Sequence, residues 1–255
     1  MTFTPSLHTE EEGTGPTVVL VHGFTQTSRS WGPVGAGLAA GHRVVRVDAP
    51  GHGGSGGVSA DLWTGARLLG QAGGPAAYVG YSMGGRLCLH LALLEPGSVR
   101  SLVLIGATAG IDDPDERAAR RASDEAWARR LETEGLDPFL EAWLAQPLFA
   151  GLGADAAGLA ERRRNTVAGL ADSLRRAGTG TQDPPLWDRL GELAMPVLAV
   201  AGEHDRKFRQ LAERLTSAIG GNAATAVVPG AGHAAHLEAP AAFLDVVRPF
   251  LAAGA

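Results

Sequence analysis

Residues 80–84 carry the sequence Gly-Tyr-Ser-Met-Gly and directly follow an apolar run. A serine with a glycine two residues away on each side fits a strained turn from a strand into a helix, because glycine lets the neighbouring backbone pass without a clash. Such a turn exposes the hydroxyl of Ser82 at the top of a sheet. The pentapeptide also arises by chance in a chain with 36 glycines, so its surroundings must establish its role.

A serine hydroxyl is reactive when a histidine can take its proton and a carboxylate holds that histidine in the correct tautomer. Asp205 and His233 follow Ser82 in the order serine, acid, histidine, and each comes just after an apolar run that we expect to be a strand. We therefore predict both at the carboxyl edge of the sheet, where open sheets of this kind bind ligands. Glu203 and His236, two residues before Asp205 and three after His233, remain the alternative acid and base.

The segment His22-Gly23-Phe24 closes an earlier apolar run, at the position where this arrangement supplies a donor to an oxyanion. The backbone N–H groups of Phe24 and Met83 are predicted to face negative charge that develops on a substrate oxygen. One such donor contributes roughly 2.7 to 4 kcal/mol to stabilisation of the transition state. His22 is predicted to brace this loop and to shape the hole.

Arg86 falls in the first turn of the helix predicted after Ser82. A cation at this position opposes the positive end of the helix dipole by about 0.3 to 1 kcal/mol, so a compensating anion is expected. A substrate carboxylate beside the serine would supply that anion. The alternative is an arginine whose side chain extends to solvent.

Short runs rich in β-branched residues recur along the chain and lack strict alternation, which is typical of strands covered on both faces. They lie at 17–21, 43–47, 76–80, 99–105, 196–201 and 225–228. Helical patterns separate most of them. The sequence therefore predicts an α/β fold with a mostly parallel, doubly wound sheet.

No strand is predicted between about residues 111 and 190, where four helical stretches occur at 114–134, 138–146, 154–166 and 167–177. We predict a core formed by residues 1–110 and 191–255, with a helical lid at 111–190 over the serine. Acidic residues are at least as numerous as arginines in this lid, so most of its arginines should form solvated pairs. At most one or two of the adjacent Arg162, Arg163 and Arg164 can face a cleft, since neighbours on a helix are about 100° apart.

Composition restricts the class of protein. A chain of 255 residues with 45% hydrophobic content can bury one full-sized core. The net charge of −5 argues against a nucleic-acid partner. The sequence has no secretory leader pattern and no apolar window of about 18 residues, so we expect a cytoplasmic protein without a membrane span. It also lacks metal-ligand spacing and nucleotide-binding fingerprints, so neither a metal nor a cofactor is expected.

With these residues in place, the chain resembles the 2-succinyl-6-hydroxy-2,4-cyclohexadiene-1-carboxylate synthases, lyases of menaquinone biosynthesis that have the α/β-hydrolase fold. The resemblance covers nearly the whole chain, including the serine turn with its arginine. Its most specific part is a set of lid segments that general hydrolases lack. These are residues 116–120, 143–149 and 178–182.

The resemblance implies elimination of pyruvate from 2-succinyl-5-enolpyruvyl-6-hydroxy-3-cyclohexene-1-carboxylate. Ser82, polarised by His233 and Asp205, would act as a base that removes the proton next to the succinyl ketone. The enolate oxygen would then be held by the N–H groups of Phe24 and Met83 while enolpyruvate leaves. No acyl-enzyme is required.

The resemblance also implies a small substrate with three carboxylates, bound by arginines at the matching positions Arg86, Arg120 and Arg162. The other substrate-binding residues that it implies are Tyr81, Trp143, Phe149 and His22.

Two other functions remain open from the sequence. A serine hydrolase of esters or carbon–carbon bonds could use the same residues if water reached the site, although a neutral ester would not need the arginines. A binding protein that has lost activity would be expected to lack a member of the triad, and this chain retains all three.

Overall fold

The computed structural model describes residues 5–254 and contains one seven-stranded sheet. The strands are β1 (Thr9–Glu12), β2 (Thr17–Val21), β3 (Arg43–Val47), β4 (Ala76–Tyr81), β5 (Val99–Ile105), β6 (Val197–Gly202) and β7 (Ala223–Val228). Their order across the sheet is β1-β3-β2-β4-β5-β6-β7. Only the β1–β3 pair is antiparallel among these strands, so the predicted α/β fold with a mostly parallel sheet is confirmed.

Helices cover both faces of the sheet. In chain order they are α1 (Gly32–Ala39), α2 (Leu62–Gly73), α3 (Met83–Leu94), α4 (Pro114–Glu134), α5 (Leu136–Leu144), α6 (Ala154–Ala157), α7 (Leu159–Arg162), α8 (Val167–Ala177), α9 (Arg206–Ile219), α10 (Ala235–Glu238) and α11 (Pro240–Ala253). Within residues 5–254, none of them combines the length and apolar character needed to cross a bilayer.

Strand β2 shows why the core strands are apolar throughout. Val19 and Val21 pack on the side of α2, α3 and α9, whereas Val18 and Leu20 pack on the side of α1 and α11. All four side chains are buried. Because both faces of the strand are covered, its sequence has no polar positions in alternation.

Strand β1 was not predicted, because its residues are one threonine and three glutamates. It lies at the edge of the sheet beside β3. Glu11 pairs with Arg43 at 2.7 Å and Glu12 pairs with Arg46 at 3.4 Å, both across the two strands. Cross-strand pairs of opposite charge thus replace the apolar contacts of the inner strands.

The helical insertion (residues 111–190) contains α4 to α8. The bounds predicted for α4 and α8 are confirmed, and α5 begins and ends two residues earlier than predicted. The prediction of one continuous helix at 154–166 is wrong. Gly158 adopts a left-handed φ of 61° and separates two single-turn helices, α6 and α7.

The insertion has an apolar cluster of its own, separate from the two clusters on the faces of the sheet. Leu131, Phe139 and Leu170 are its most deeply buried large members. Phe24, from the loop after β2, packs against this cluster. The insertion therefore lies directly over the loop that follows β2.

Candidate active site

Ser82 lies in the turn between β4 and α3 with φ 51° and ψ −106°. Its backbone N–H donates to the carbonyl of Ile105 at 2.8 Å, which helps to hold this unfavourable conformation. A Cβ atom on Gly80 would overlap the carbonyl of Gly84, and a Cβ atom on Gly84 would overlap the carbonyl of Val21. Both glycines are therefore required by close backbone contacts around the serine.

Asp205 and His233 form a buried pair at the same edge of the sheet. Asp205 precedes α9, and its Oδ1 accepts a hydrogen bond from the N–H of Phe208 at 3.2 Å. Its Oδ2 lies 2.7 Å from Nδ1 of His233. Because a carboxylate only accepts, this contact places the ring proton on Nδ1 and leaves Nε2 free to accept another.

Ser82 and His233 both border a cavity of about 200 Å³ beneath the insertion. No hydrogen bond joins their side chains among the residues that the structure describes. Such bonds often shorten only when substrate is bound. The rings of Phe208 and Tyr81 pack against His233, with centroids at 4.4 and 5.3 Å, so aromatic contacts hold the imidazole in place.

The alternative acid and base lie outside this cavity. Glu203 is exposed and accepts from the N–H of Gly230 at 2.8 Å. His236 is buried against Tyr81, with ring centroids 4.4 Å apart, and neither ring nitrogen has a partner within residues 5–254. Burial, with His233 and Arg162 nearby, lowers the pKa of His236 to about 3. The geometry favours Asp205 and His233.

Phe24 and Met83, the two residues predicted to supply backbone donors, both border the same cavity. Met83 is the first residue of α3, so its N–H has no acceptor within the helix. Neither N–H donates to a protein acceptor in the described part of the chain. Two unpaired donors are thus available beside Ser82.

His22 has a different position from the other predicted substrate-binding residues. It is fully buried and does not border the cavity. Its Nδ1 donates to the carbonyl of Gly23 at 2.8 Å, and its Nε2 accepts from the N–H of Ala49 at 3.0 Å. Burial lowers its pKa. Backbone groups occupy both ring nitrogens, so the position of His22 fits the predicted bracing of the loop. It does not fit the contact with substrate that the resemblance implies.

Arg86 borders the cavity and is only 6% exposed. Its Nη1 donates to the carbonyl of Ala177 at 2.6 Å. Burial and the neighbouring Arg120 lower the pKa of Arg86 to about 9. Within residues 5–254 Arg86 has no ion-pair partner, whereas Arg120 pairs with Asp124 at 2.9 Å. A buried cation of this kind requires an anion from elsewhere.

Arg162 is the second buried cation of the cavity and is 2% exposed. It donates to the carbonyl of Ala157 at 2.7 Å and to the hydroxyl of Thr25. Burial lowers its pKa to about 10. Arg163 and Arg164 instead form exposed ion pairs. Of the three adjacent arginines, Arg162 is the one at the cavity.

Asn165, to which the sequence analysis gave no role, ties Arg162 to the core. Its Nδ2 donates to the carbonyls of Thr25 at 2.7 Å and Arg162 at 2.9 Å. Its Oδ1 accepts from the N–H of Gly53 at 2.9 Å. Three segments that are distant in sequence thus meet at one buried amide.

Three aromatic residues that the resemblance implies for the site border the cavity, namely Tyr81, Trp143 and Phe149. The ring of Trp143 packs edge-on against that of Phe24, with centroids 4.9 Å apart. The sequence analysis missed several further wall residues. They include Gln26, Ser123, Asp124, Trp127, Ser173, Thr179 and Phe208. For Asp124 a signal was present, because it lies four residues after Arg120 on one helix and so on the same face.

Comparisons with known proteins identify the family to which the chain belongs. A model of the alpha/beta hydrolase family matches residues 18–246. A protein of Escherichia coli O1:K1 named 2-succinyl-6-hydroxy-2,4-cyclohexadiene-1-carboxylate synthase is 36% identical, over 92% of this chain and 94% of its own. A Klebsiella pneumoniae protein of the same name is 33% identical, over 93% and 94%. The structure of MenH from S. aureus superimposes with a TM-score of 0.88 at 28% identity, over 97% of this chain and 98% of that chain.

Proposed function

Since this chain belongs to the alpha/beta hydrolase family and, within it, to the 2-succinyl-6-hydroxy-2,4-cyclohexadiene-1-carboxylate synthases, we propose a mechanism in which Ser82 acts as a base. The protein is an enzyme that eliminates pyruvate from 2-succinyl-5-enolpyruvyl-6-hydroxy-3-cyclohexene-1-carboxylate. The proposal concerns which residues perform the steps of that reaction.

His233 accepts the hydroxyl proton of Ser82 at Nε2, and Asp205 stabilises the resulting imidazolium. The serine oxygen removes the proton from the ring carbon next to the succinyl ketone. The electron pair of that bond forms a ring double bond, the existing double bond shifts by one position, and the carbon–oxygen bond to enolpyruvate breaks. Enolpyruvate takes up one proton and becomes pyruvate, and the imidazolium of His233 gives up one proton in balance, which restores the neutral histidine and the Ser82 hydroxyl.

The transient negative charge on the ketone oxygen is stabilised by the two backbone donors, Phe24 and Met83. Because these two N–H groups are already in position before the substrate binds, the protein does not need to reorganise as the charge develops. Because the reaction is an elimination initiated by proton removal, the serine needs no covalent bond to the substrate.

The observation that carries the proposal is the pair of buried arginines without carboxylate partners, Arg86 and Arg162, at the cavity that also holds Ser82. A neutral ester would leave Arg162 without a counter-ion and Arg86 with only the nearby carboxylate of Asp124, which already pairs with Arg120. A substrate with several carboxylates supplies the missing counter-ions. Arg120 adds a third guanidinium to the same cavity. Charge-assisted hydrogen bonds of this type are the strong ones in proteins.

We further propose that the insertion at 111–190 acts as a lid on a core formed by 1–110 and 191–255, and that the enzyme works in the cytoplasm on a small anionic polycarboxylate. The net charge of −5 supports a partner other than nucleic acid. Tyr81, Trp143 and Phe149 would contact the carbon skeleton of the substrate.

The test is release of pyruvate from the enolpyruvyl intermediate generated in situ, run beside hydrolysis of p-nitrophenyl acetate. Wild-type protein should release pyruvate and cleave the ester negligibly, and Ser82→Ala should do neither. Rapid ester cleavage without pyruvate would instead assign the protein as a hydrolase and make the arginines incidental.

A further inference from the structure

A carboxylate in the cavity wall is unexpected where the cavity binds an anion. Asp124 borders the cavity, and its side chain is only 4% exposed. Its Oδ1 accepts from Nε of Arg120 at 2.9 Å. Its Oδ2 is buried and has no hydrogen-bond partner within residues 5–254. Burial of a carboxyl oxygen without a hydrogen-bond partner costs free energy, so this residue calls for a functional explanation.

The groups that face Asp124 come from three elements. Arg120 lies one turn earlier on α4, and Arg86 lies on α3. Gly178, just after α8, is packed so tightly on Oδ2 that a Cβ atom there would overlap it. Burial raises the pKa of Asp124, while Arg120, Arg86 and the N–H of Gly180 oppose that rise. The carboxyl group is thus fixed in place by backbone on one side and by cations on the other.

Arg120 needs such a fixed partner more than the other two arginines of the cavity do. Its side chain is 39% exposed, whereas Arg86 and Arg162 are buried and are each held by a backbone carbonyl. The bond to Asp124 uses Nε only. Neither terminal amino group of Arg120 has an acceptor in the described chain, so both are available to form a bidentate contact.

We propose that Asp124 is a positioning residue for substrate binding, which holds Arg120 so that its two terminal amino groups meet a substrate carboxylate. This inference rests on the proposed function. Asp124 touches Arg120 and not the reacting atoms, so it acts on binding and leaves the chemical step unchanged.

The test measures KM and kcat for pyruvate release in Asp124→Ala, Asp124→Asn and Arg120→Ala, and in the double variant Asp124→Ala/Arg120→Ala. We expect Asp124→Ala to raise KM about tenfold with kcat within about twofold, since binding alone is lost. Asparagine retains an oxygen that accepts from Nε, so Asp124→Asn should keep KM within about threefold of wild type. In the Arg120→Ala background the alanine substitution should change KM less than about twofold, because the partner is already absent.

The matched control is Asp172→Ala. Asp172 pairs with Arg176 at the same spacing on a helix and the same 2.9 Å, but at the surface and away from the cavity, so its loss should leave KM unchanged. Additive effects of Asp124→Ala and Arg120→Ala on KM, or a fall in kcat at constant KM, would overturn the positioning role. If Asp124→Ala does not fold by circular dichroism, a tenfold rise of KM in folded Asp124→Asn would overturn it equally. Failure of wild-type protein to release pyruvate would refute the proposed function itself, which separates the two outcomes.

Discussion

The two walls of the cavity hold their functional groups by different means. On the sheet side, Ser82 is held by a strained turn, and the donors of Phe24 and Met83 are backbone groups. On the insertion side, the functional groups are the ends of long side chains, Arg120 and Arg162, which are held by other side chains and by helix ends. The sheet side therefore supplies chemistry that many proteins of this fold could perform, and the insertion side restricts which substrate receives it.

The sharpest test of the sheet side is Ser82→Ala. We expect kcat to fall by about 10⁴-fold or more, since removal of one member of such a unit disables the whole. The thermal unfolding temperature should stay near that of wild type, because the hydroxyl makes no hydrogen bond in the described structure. If Ser82→Ala still releases pyruvate at even a few per cent of the wild-type rate, the serine is not the base.

The insertion side is tested by Arg162→Met. Loss of a charge-assisted hydrogen bond costs about 1.5 to 3 kcal/mol, which corresponds to roughly a ten- to hundredfold lower kcat/KM. Arg163→Met is the control, because Arg163 is an exposed residue of the same segment paired with Asp137 at 2.7 Å. Equal kinetics of the two variants would show that the insertion does not select the substrate by charge.

Asn165→Ala tests how the two walls are joined. It removes three hydrogen bonds and leaves buried backbone groups unpaired, so the free energy of unfolding should fall by about 1 to 3 kcal/mol. KM should rise as Arg162 loses its support. Asn222→Ala is the control, because Asn222 donates at 2.7 Å to the carbonyls of Leu193 and Met195, far from the cavity. It should lower stability without altering KM, and a similar KM effect in both variants would contradict the role of Asn165.

The smallest effect that we predict is a change in acid sensitivity on the sheet side. His236 has a pKa lowered to about 3 by burial, against 6.5 in the unfolded chain. Below pH 6.5 the unfolded state binds a proton that the folded state does not, so stability falls as the pH falls from about 6.5 towards 3. His236→Phe should therefore lose about 1 kcal/mol less than wild type between pH 7 and pH 5.5 in urea unfolding. If wild type and His236→Phe lose the same free energy of unfolding over this pH range, other groups cause the acid sensitivity.

The inner strands could be predicted closely from sequence. Residues 17–21, 43–47 and 99–105 coincide with β2, β3 and β5, because a short run rich in β-branched residues and bounded by turns is typical of a strand covered on both faces. Strand β1 was missed since its stability comes from pairing of Glu11 and Glu12 with arginines on β3, which local sequence does not reveal.

The site was less predictable on the insertion side. Arg162, and not Arg163 or Arg164, faces the cavity because the chain makes a left-handed turn at Gly158. The prediction from the 100° spacing of helix neighbours assumed one continuous helix, which this turn interrupts. The ion pair of Arg120 with Asp124 could be predicted from their spacing of four residues on one helix. The burial of the Asp124 side chain, which makes the pair important, could not be predicted from that spacing. Asn165 could not be assigned because its partners, Thr25 and Gly53, are more than a hundred residues away.

The contact between Gly84 and the carbonyl of Val21 has a consequence for protein engineering. It fixes the start of α3 against the end of β2, and so it helps to set the separation of Met83, the first residue of α3, and Phe24, three residues after β2. This spacing is therefore set in part by a contact between backbones, to which the side chains at positions 24 and 83 do not contribute. A mutant library could therefore vary both positions among residues other than proline, which lacks an N–H, to reshape the cavity, whereas a side chain at position 84 would push the two elements apart.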